Sequence, residues 1–149
     1  MYAAVRVRGM VDKSYKLSRT MEEIGLGKKN RVVLLPELES IDGKLKKVKD
    51  IITFGKVSPE FIEEFLTEKL DTPFEDVLEE LGADSVEELV EMIDENEVSL
   101  SELREKGFSN VFDMNSPKKG YKNTKRQFKQ SGSLGFREGN EIENLIKRM

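Results

Sequence analysis

The chain has no cysteine, no histidine and no tryptophan. Without cysteine or histidine it cannot build a structural zinc site of the usual kind, an iron–sulfur cluster, a haem held by its common ligands, a thiol nucleophile or a Ser-His-Asp relay. No disulfide can form, so nothing marks the chain as secreted. Long apolar runs are missing too: no stretch approaches the roughly 18 residues of a membrane span. The start, MYAAVRVRGM, carries arginines where a secretion signal needs an apolar run. These absences lead us to expect a soluble, intracellular protein with no metal or cofactor. At 149 residues it is one domain, or one domain with an appendage. A domain of that size buries about two-thirds of its unfolded surface, enough for a real core.

Charge is abundant and unevenly placed. The net charge is −4. Residues 1–56 carry 13 basic and 7 acidic side chains, residues 57–105 carry 2 and 18, and residues 106–149 carry 10 and 4. A basic start and a basic end therefore flank an acidic middle. Binding follows local charge rather than its average, so the acidic total does not argue against a nucleic-acid partner.

Residues 2–8 alternate, with Ala3, Val5 and Val7 on one side and Ala4, Arg6 and Arg8 on the other, as in a half-buried strand stopped by Gly9. Leu17, Met21 and Ile24 share one helix face, with Gly25 and Gly27 as stop signals. The apolar, β-branched run Val32–Leu35 before Pro36 reads as a buried strand. Ser40 is placed to cap a helix bearing Ile41, Leu45 and Val48. Gly43 inside that helix costs about 1 kcal/mol against Ala, which suggests a close approach there. Residues 51–55, IITFG, form a third strand. The order βαβαβ with short connections predicts a two-layer sandwich of helices on a sheet.

The middle reads as short, capped, amphipathic helices. Start signals stand at Ser58-Pro59, at Thr72-Pro73-Glu75, and in the boxes Ser85/Glu88 and Ser99/Glu102; stops stand at Gly82 and Gly107. Residues 110–114, NVFDM, read as a returning strand. Residues 115–139 hold little apolar content and read as a mobile loop. Ile142, Leu145, Ile146 and Met149 mark a closing helix. The expected parts are a core at 1–56, an acidic helical insertion at 57–107, and a basic extension with returning strand, loop and helix at 108–149.

The sharpest functional signal is SPKKGYKNTKRQFKQ, residues 116–130, with Lys118, Lys119, Lys122, Lys125, Arg126 and Lys129, no acid, and the aromatics Tyr121 and Phe128. Such cations neutralise phosphates and release counterions, and aromatics stack on unpaired bases. Gly120, Gly132 and Gly135 suggest a backbone that lets a phosphate come close. Weaker basic sites are Lys28, Lys29 and Arg31; Lys44, Lys46, Lys47 and Lys49; and Arg6 with Arg8. Residues 25–30, GLGKKN, lack the spacer and ending of a phosphate loop, and Asp94–Glu97 lacks the central Gly and terminal Glu of a calcium loop. The many carboxylates of the middle converge on no nucleophile, so no catalytic residue is assigned.

Residues 20–55, TMEEIGLGKKNRVVLLPELESIDGKLKKVKDIITFG, resemble the large-subunit ribosomal protein L-thirty family. That family has a short helix ending near Gly-Leu, a strand, a helix with an internal Gly followed by Leu-x-Lys-Val, and a strand. Residues 126–149 are similar to its longer archaeal and eukaryotic members, which end in a Gly-rich basic turn, Gly-x-Arg-Glu and a helix closing on Leu-Ile-x-x-Met. Gly132, Gly135, Arg137, Glu138, Ile142, Asn144, Leu145, Ile146 and Met149 fit that pattern. The chain departs from it at Asp42-Gly43-Lys44 and at Gly132-Ser133. The opening VRVRGMVDKSYK looks superficially like acylphosphatase, but Lys16 stands where that family needs Arg.

The L-thirty resemblance implies an α+β, ferredoxin-like βαβαβ core with three antiparallel strands. It also implies a cytoplasmic, ribosome-bound structural protein of archaeal type, monomeric in the particle, with no cofactor and no catalysis. Its partners are then large-subunit ribosomal RNA and neighbouring ribosomal proteins, and Arg137 joins Arg6, Arg8, Lys28, Lys29, Arg31, Lys47 and the 116–130 set as RNA-binding residues. The rival readings are a free-standing RNA chaperone or regulator and an acidic protein–protein module.

Overall fold

The computed structural model describes residues 1–11, 13–70, 73–95, 99–106 and 108–149. The Thr72 start, the Gly107 stop, the Glu102 side chain of the Ser99 box, and Asn96 and Glu97 lie outside the described residues.

The first three strands and two helices follow the sequence pattern: β1 (Tyr2–Arg6), α1 (Tyr15–Glu23), β2 (Arg31–Leu35), α2 (Glu39–Lys47) and β3 (Ile52–Lys56). β1 lies between β2 and β3 and runs antiparallel to both. Helix α1 stops as its glycine dictates. Gly25 takes φ +84°, its N–H donates to Glu22 O, and Leu26 N–H donates to Met21 O, which satisfies two end carbonyls. Helix α2 begins earlier than expected: Leu38 precedes it and Ser40 lies inside it.

The insertion holds α3 (Pro59–Lys69), α4 (Phe74–Leu81), α5 (Val86–Asp94) and α6 (Leu100–Glu105). Ser58 Oγ accepts from Phe61 N–H, and Ser85 Oγ accepts from Glu88 N–H, as the start signals require. The reciprocal Glu88 contact falls on the N–H of Asp84 rather than of Ser85.

Successive side chains of a strand point to opposite faces, and both faces of this sheet are covered. Ala4, Val33, Leu35, Ile52 and Phe54 pack with Met21 and Leu45 of α1 and α2. Ala3, Val5, Val32 and Leu34 pack with Phe61, Phe65, Leu66, Leu89 and Ile93 of the insertion. The core sandwich has its two layers, and the acidic helices add a third on the other face. Strand β1 is thus buried on both faces rather than on one. The insertion shares this core with the sheet and with Ile142, Leu145 and Ile146 near the end of the chain, so cutting it out uncovers much of one face.

The larger departure is at residues 115–139, read as a loop. After β4 (Val111–Asp113) the chain forms β5 (Asn123–Gln127), a 3-10 turn (Phe128–Gln130), β6 (Gly132–Arg137) and α7 (Glu141–Ile146). β6 pairs parallel with both β3 and β5, giving one mixed sheet in the order β4-β2-β1-β3-β6-β5. Ser133, Leu134 and Arg137 are buried in β6, and Gly132 abuts the backbone of Arg126, a closeness that apolar content does not report.

Among the described residues no helix is long and apolar enough to cross a membrane.

Candidate nucleic-acid interface

Strand direction decides where the basic segments meet. β1 and β4 end, and β2, β3, β5 and β6 begin, at the same end of the sheet. Arg6 and Arg8, the loop 27–31, the turn 48–51 and the segment 114–122 therefore converge there. Two polar side chains tie them. Asn30 accepts from Tyr121 Oη at 2.8 Å and donates to Ser116 Oγ at 3.1 Å. Asp50 accepts from Gln127 Nε2 at 2.8 Å, and its carbonyl from Arg8 Nη1 at 3.4 Å. β3 ends, and the chain returns towards β4, at the opposite end, so the acidic insertion is attached away from these cations.

The candidate residues differ in how their charge is occupied. Lys118, Lys119, Lys122, Lys125 and Arg126 are exposed, and among the described residues no carboxylate pairs with them. Lys29 and Lys47 are likewise exposed and without an ion pair among the described residues. Lys129 is exposed and pairs with the equally exposed Glu138 at 2.7 Å. Lys28 reaches Asp113 at 3.5 Å, and Arg31 forks onto the same carboxylate at 2.6 and 3.1 Å. That fork raises the Arg31 pKa and holds the Asp113 carboxyl below its ordinary value.

Arg6 and Arg137, expected on the binding surface, are buried, 7 % and 6 % exposed. Arg6 donates to the carbonyls of Arg8, Leu26 and Gly27 and so fixes the loop that carries Lys28 and Lys29. Arg137 donates to Thr53 Oγ1 at 2.8 Å, and its guanidinium lies 4.5 Å from the centre of the Phe128 ring. Burial lowers the pKa of both arginines. Two anticipated phosphate-approach glycines are also filled from within: Gly132 abuts the backbone of Arg126, and Gly135 the side chain of Gln127.

Tyr121, one of the two expected stacking rings, is held by Asn30, and burial pushes its phenol up to about 12. Ultraviolet titration is expected to show a phenol ionising at about 12 that Tyr121→Phe removes. Because the fold retains this proton past the ordinary value of 10, stability falls as pH climbs from 10 towards 12. A titration lacking that late step would refute the packing.

Sequence reasoning missed a second row of rings. Tyr2, Phe54 and Phe136 lie in a line on the α2 side of the sheet, 6.2 and 5.6 Å between neighbours. The signal was present in Phe136, but it stands in a segment read as loop, and no pairing rule aligned it with Phe54.

A family model described as "Ribosomal protein L30p/L7e" matches residues 2–52. Proteins named "Large ribosomal subunit protein uL30" are similar over nearly their full lengths. The one from Methanosphaera stadtmanae is 36 % identical over 100 % of this chain and 99 % of its own. The one from Nanoarchaeum equitans is 35 % identical over 99 % and 97 %, and that of Archaeoglobus fulgidus 32 % over 100 % and 99 %. With this agreement spanning the core, the acidic insertion and the basic extension alike, the chain belongs to the uL30 (L30p/L7e) family.

Proposed function

We propose that this protein is a structural constituent of the large ribosomal subunit, ribosome-bound in the cytoplasm, that binds ribosomal RNA and catalyses nothing. The observation that carries the contact surface is the row of cations, unpaired among the described residues, along the sheet-edge strand β5 and the segment before it, at Lys118, Lys119, Lys122, Lys125 and Arg126. A polyanion displaces counterions, not carboxylates, from such residues, so binding costs no broken ion pair. Lys29 and Arg8 extend the surface at the converging end of the sheet. Arg6 and Arg137 act from inside, holding the backbone that presents the exposed cations. Lys47 lies on α2, exposed and open to the same use.

The acidic helices turn away from RNA and meet solvent or the basic surfaces of neighbouring ribosomal proteins, with one copy of this chain per particle. Sedimentation tests the whole reading. The protein is expected to travel with large subunits through a high-salt wash and to protect discrete stretches of their RNA from chemical cleavage. Recovery only in the free pool would overturn it in favour of a free-standing RNA chaperone.

A further inference from the structure

The row of rings opens into a groove of about 670 Å³ between α2, the sheet and the 3-10 turn at Phe128–Gln130. That volume falls within the roughly 300–1,000 Å³ of ligand-sized clefts. Its floor is Tyr2, Phe54 and Phe136, with Phe128 on one side. Phe136 is 36 % exposed, one of three large apolar side chains left so open among the described residues. The rim carries Lys46, Lys49 and Lys129 against one acid, Asp42, which Lys46 already pairs. Lys49 is unpaired among the described residues, and Lys129 is held by an exposed pair of the kind that contributes little. Gln127 and Gln130 add amide groups at the same rim.

We propose that this groove receives an unpaired base of the RNA that runs along β5, stacked on Phe136 with its phosphates on Lys49 and Lys129. The inference rests on the RNA-binding reading above and adds to it the place where the strand leaves its duplex. Three features select this occupant. The floor is aromatic rather than aliphatic, and every base has a face that stacks on a ring. The rim is cationic where the ribose-phosphate of a stacked base would emerge. The groove also adjoins the end of the edge strand that bears Lys125 and Arg126, so a backbone lying along that edge comes next to Lys129 and the groove. Arg137, 4.5 Å from the Phe128 ring, stiffens that wall from behind.

The chain has no tryptophan, so Phe136→Trp places a single indole at the proposed stacking position. The probe is deproteinised large-subunit ribosomal RNA. Binding is expected to quench this indole, while Phe136→Ala weakens affinity by about 5- to 150-fold, the value of one stacked base. Stacking releases no counterions, so that loss should be the same factor at low and high salt. Unchanged indole emission on RNA that is bound, or Phe136→Ala binding like the parent, overturns the groove and leaves the RNA-binding reading standing. A Phe136→Ala loss with a flattened salt slope also overturns it, because the ring would then be positioning lysines. If Phe136→Ala does not fold, the indole signal decides alone. If the parent binds no RNA at all, the broader reading fails and the groove falls with it.

Discussion

Replacing Lys118, Lys119, Lys122, Lys125, Arg126 and Lys129 together by glutamine is expected to weaken RNA binding and to remove most of its salt dependence, since six phosphate contacts account for about a thousandfold loss of affinity between roughly 50 and 200 mM salt. The slope of log affinity against log salt should fall by about 4, at roughly 0.7 per contact on single strands. The fold should survive. All six side chains are exposed, and among the described residues the change breaks one ion pair, Lys129 with Glu138. The informative comparison is a triple variant at Lys28, Lys44 and Lys46, each of which pairs with a carboxylate, Asp113, Glu23 and Asp42 respectively. Each of these three cations already has a carboxylate beside it and so condenses fewer counterions, and removing them should change the slope less than removing three from the unpaired row. Filter binding across a salt series checks both. An unchanged slope in the six-residue variant would show that this strand is not the contact.

The core was legible because its signals are local. Val32–Leu35 is apolar on both sides because both faces of β2 are covered, and Gly25 ends α1 because only glycine takes φ +84° there without strain. What stayed hidden is pairing between distant segments. β5 carries no large apolar residue because it is an exposed edge, and β6 is buried with Gly132 against the backbone of Arg126 and Gly135 against the side chain of Gln127. Composition reads both as loop. Arg6 was misleading for a related reason: the carbonyls that it serves at Leu26 and Gly27 are 20 and 21 residues away, and a charged side chain in an alternating strand looks like a solvent face. The acidic helices were legible as helices, yet their position on one face of the sheet, beside α7, depends on which apolar stripe meets Ala3, Val5 and Leu34, which periodicity alone does not specify. The candidate cations were legible individually, Lys28 and Arg31 as well as those of residues 118–129. Their separation into free and paired ones was not, since Lys28 and Arg31 meet Asp113 more than 80 residues along the chain.

Gly132→Ala is expected to destabilise the extension. A Cβ at this position would lie 2.0 Å from Arg126 O and 2.3 Å from its carbonyl carbon. Both are backbone atoms, so no rotamer change relieves the overlap, and β5 must move off β6 at the register Asn123↔Gly132. Overpacking of this kind costs about 1–3 kcal/mol. For a chain of this size each kcal/mol lowers Tm by about 2–4 °C, which puts the expected drop at up to about 12 °C. RNA affinity should fall with it, because the displaced strand carries Lys125 and Arg126. Gly43→Ala gives the opposite sign. Gly43 sits within α2, and a methyl group added there would meet nothing within 4 Å, so the close approach suggested by its place in the helix does not exist. Alanine there should stabilise by about 0.5–1 kcal/mol through helix propensity and leave RNA binding unchanged. Thermal melts of the two variants separate the two causes for which a glycine is kept. A Gly132→Ala chain melting with the parent would mean that β5 is not docked on β6, and the rigid presentation of its cations would have to be given up.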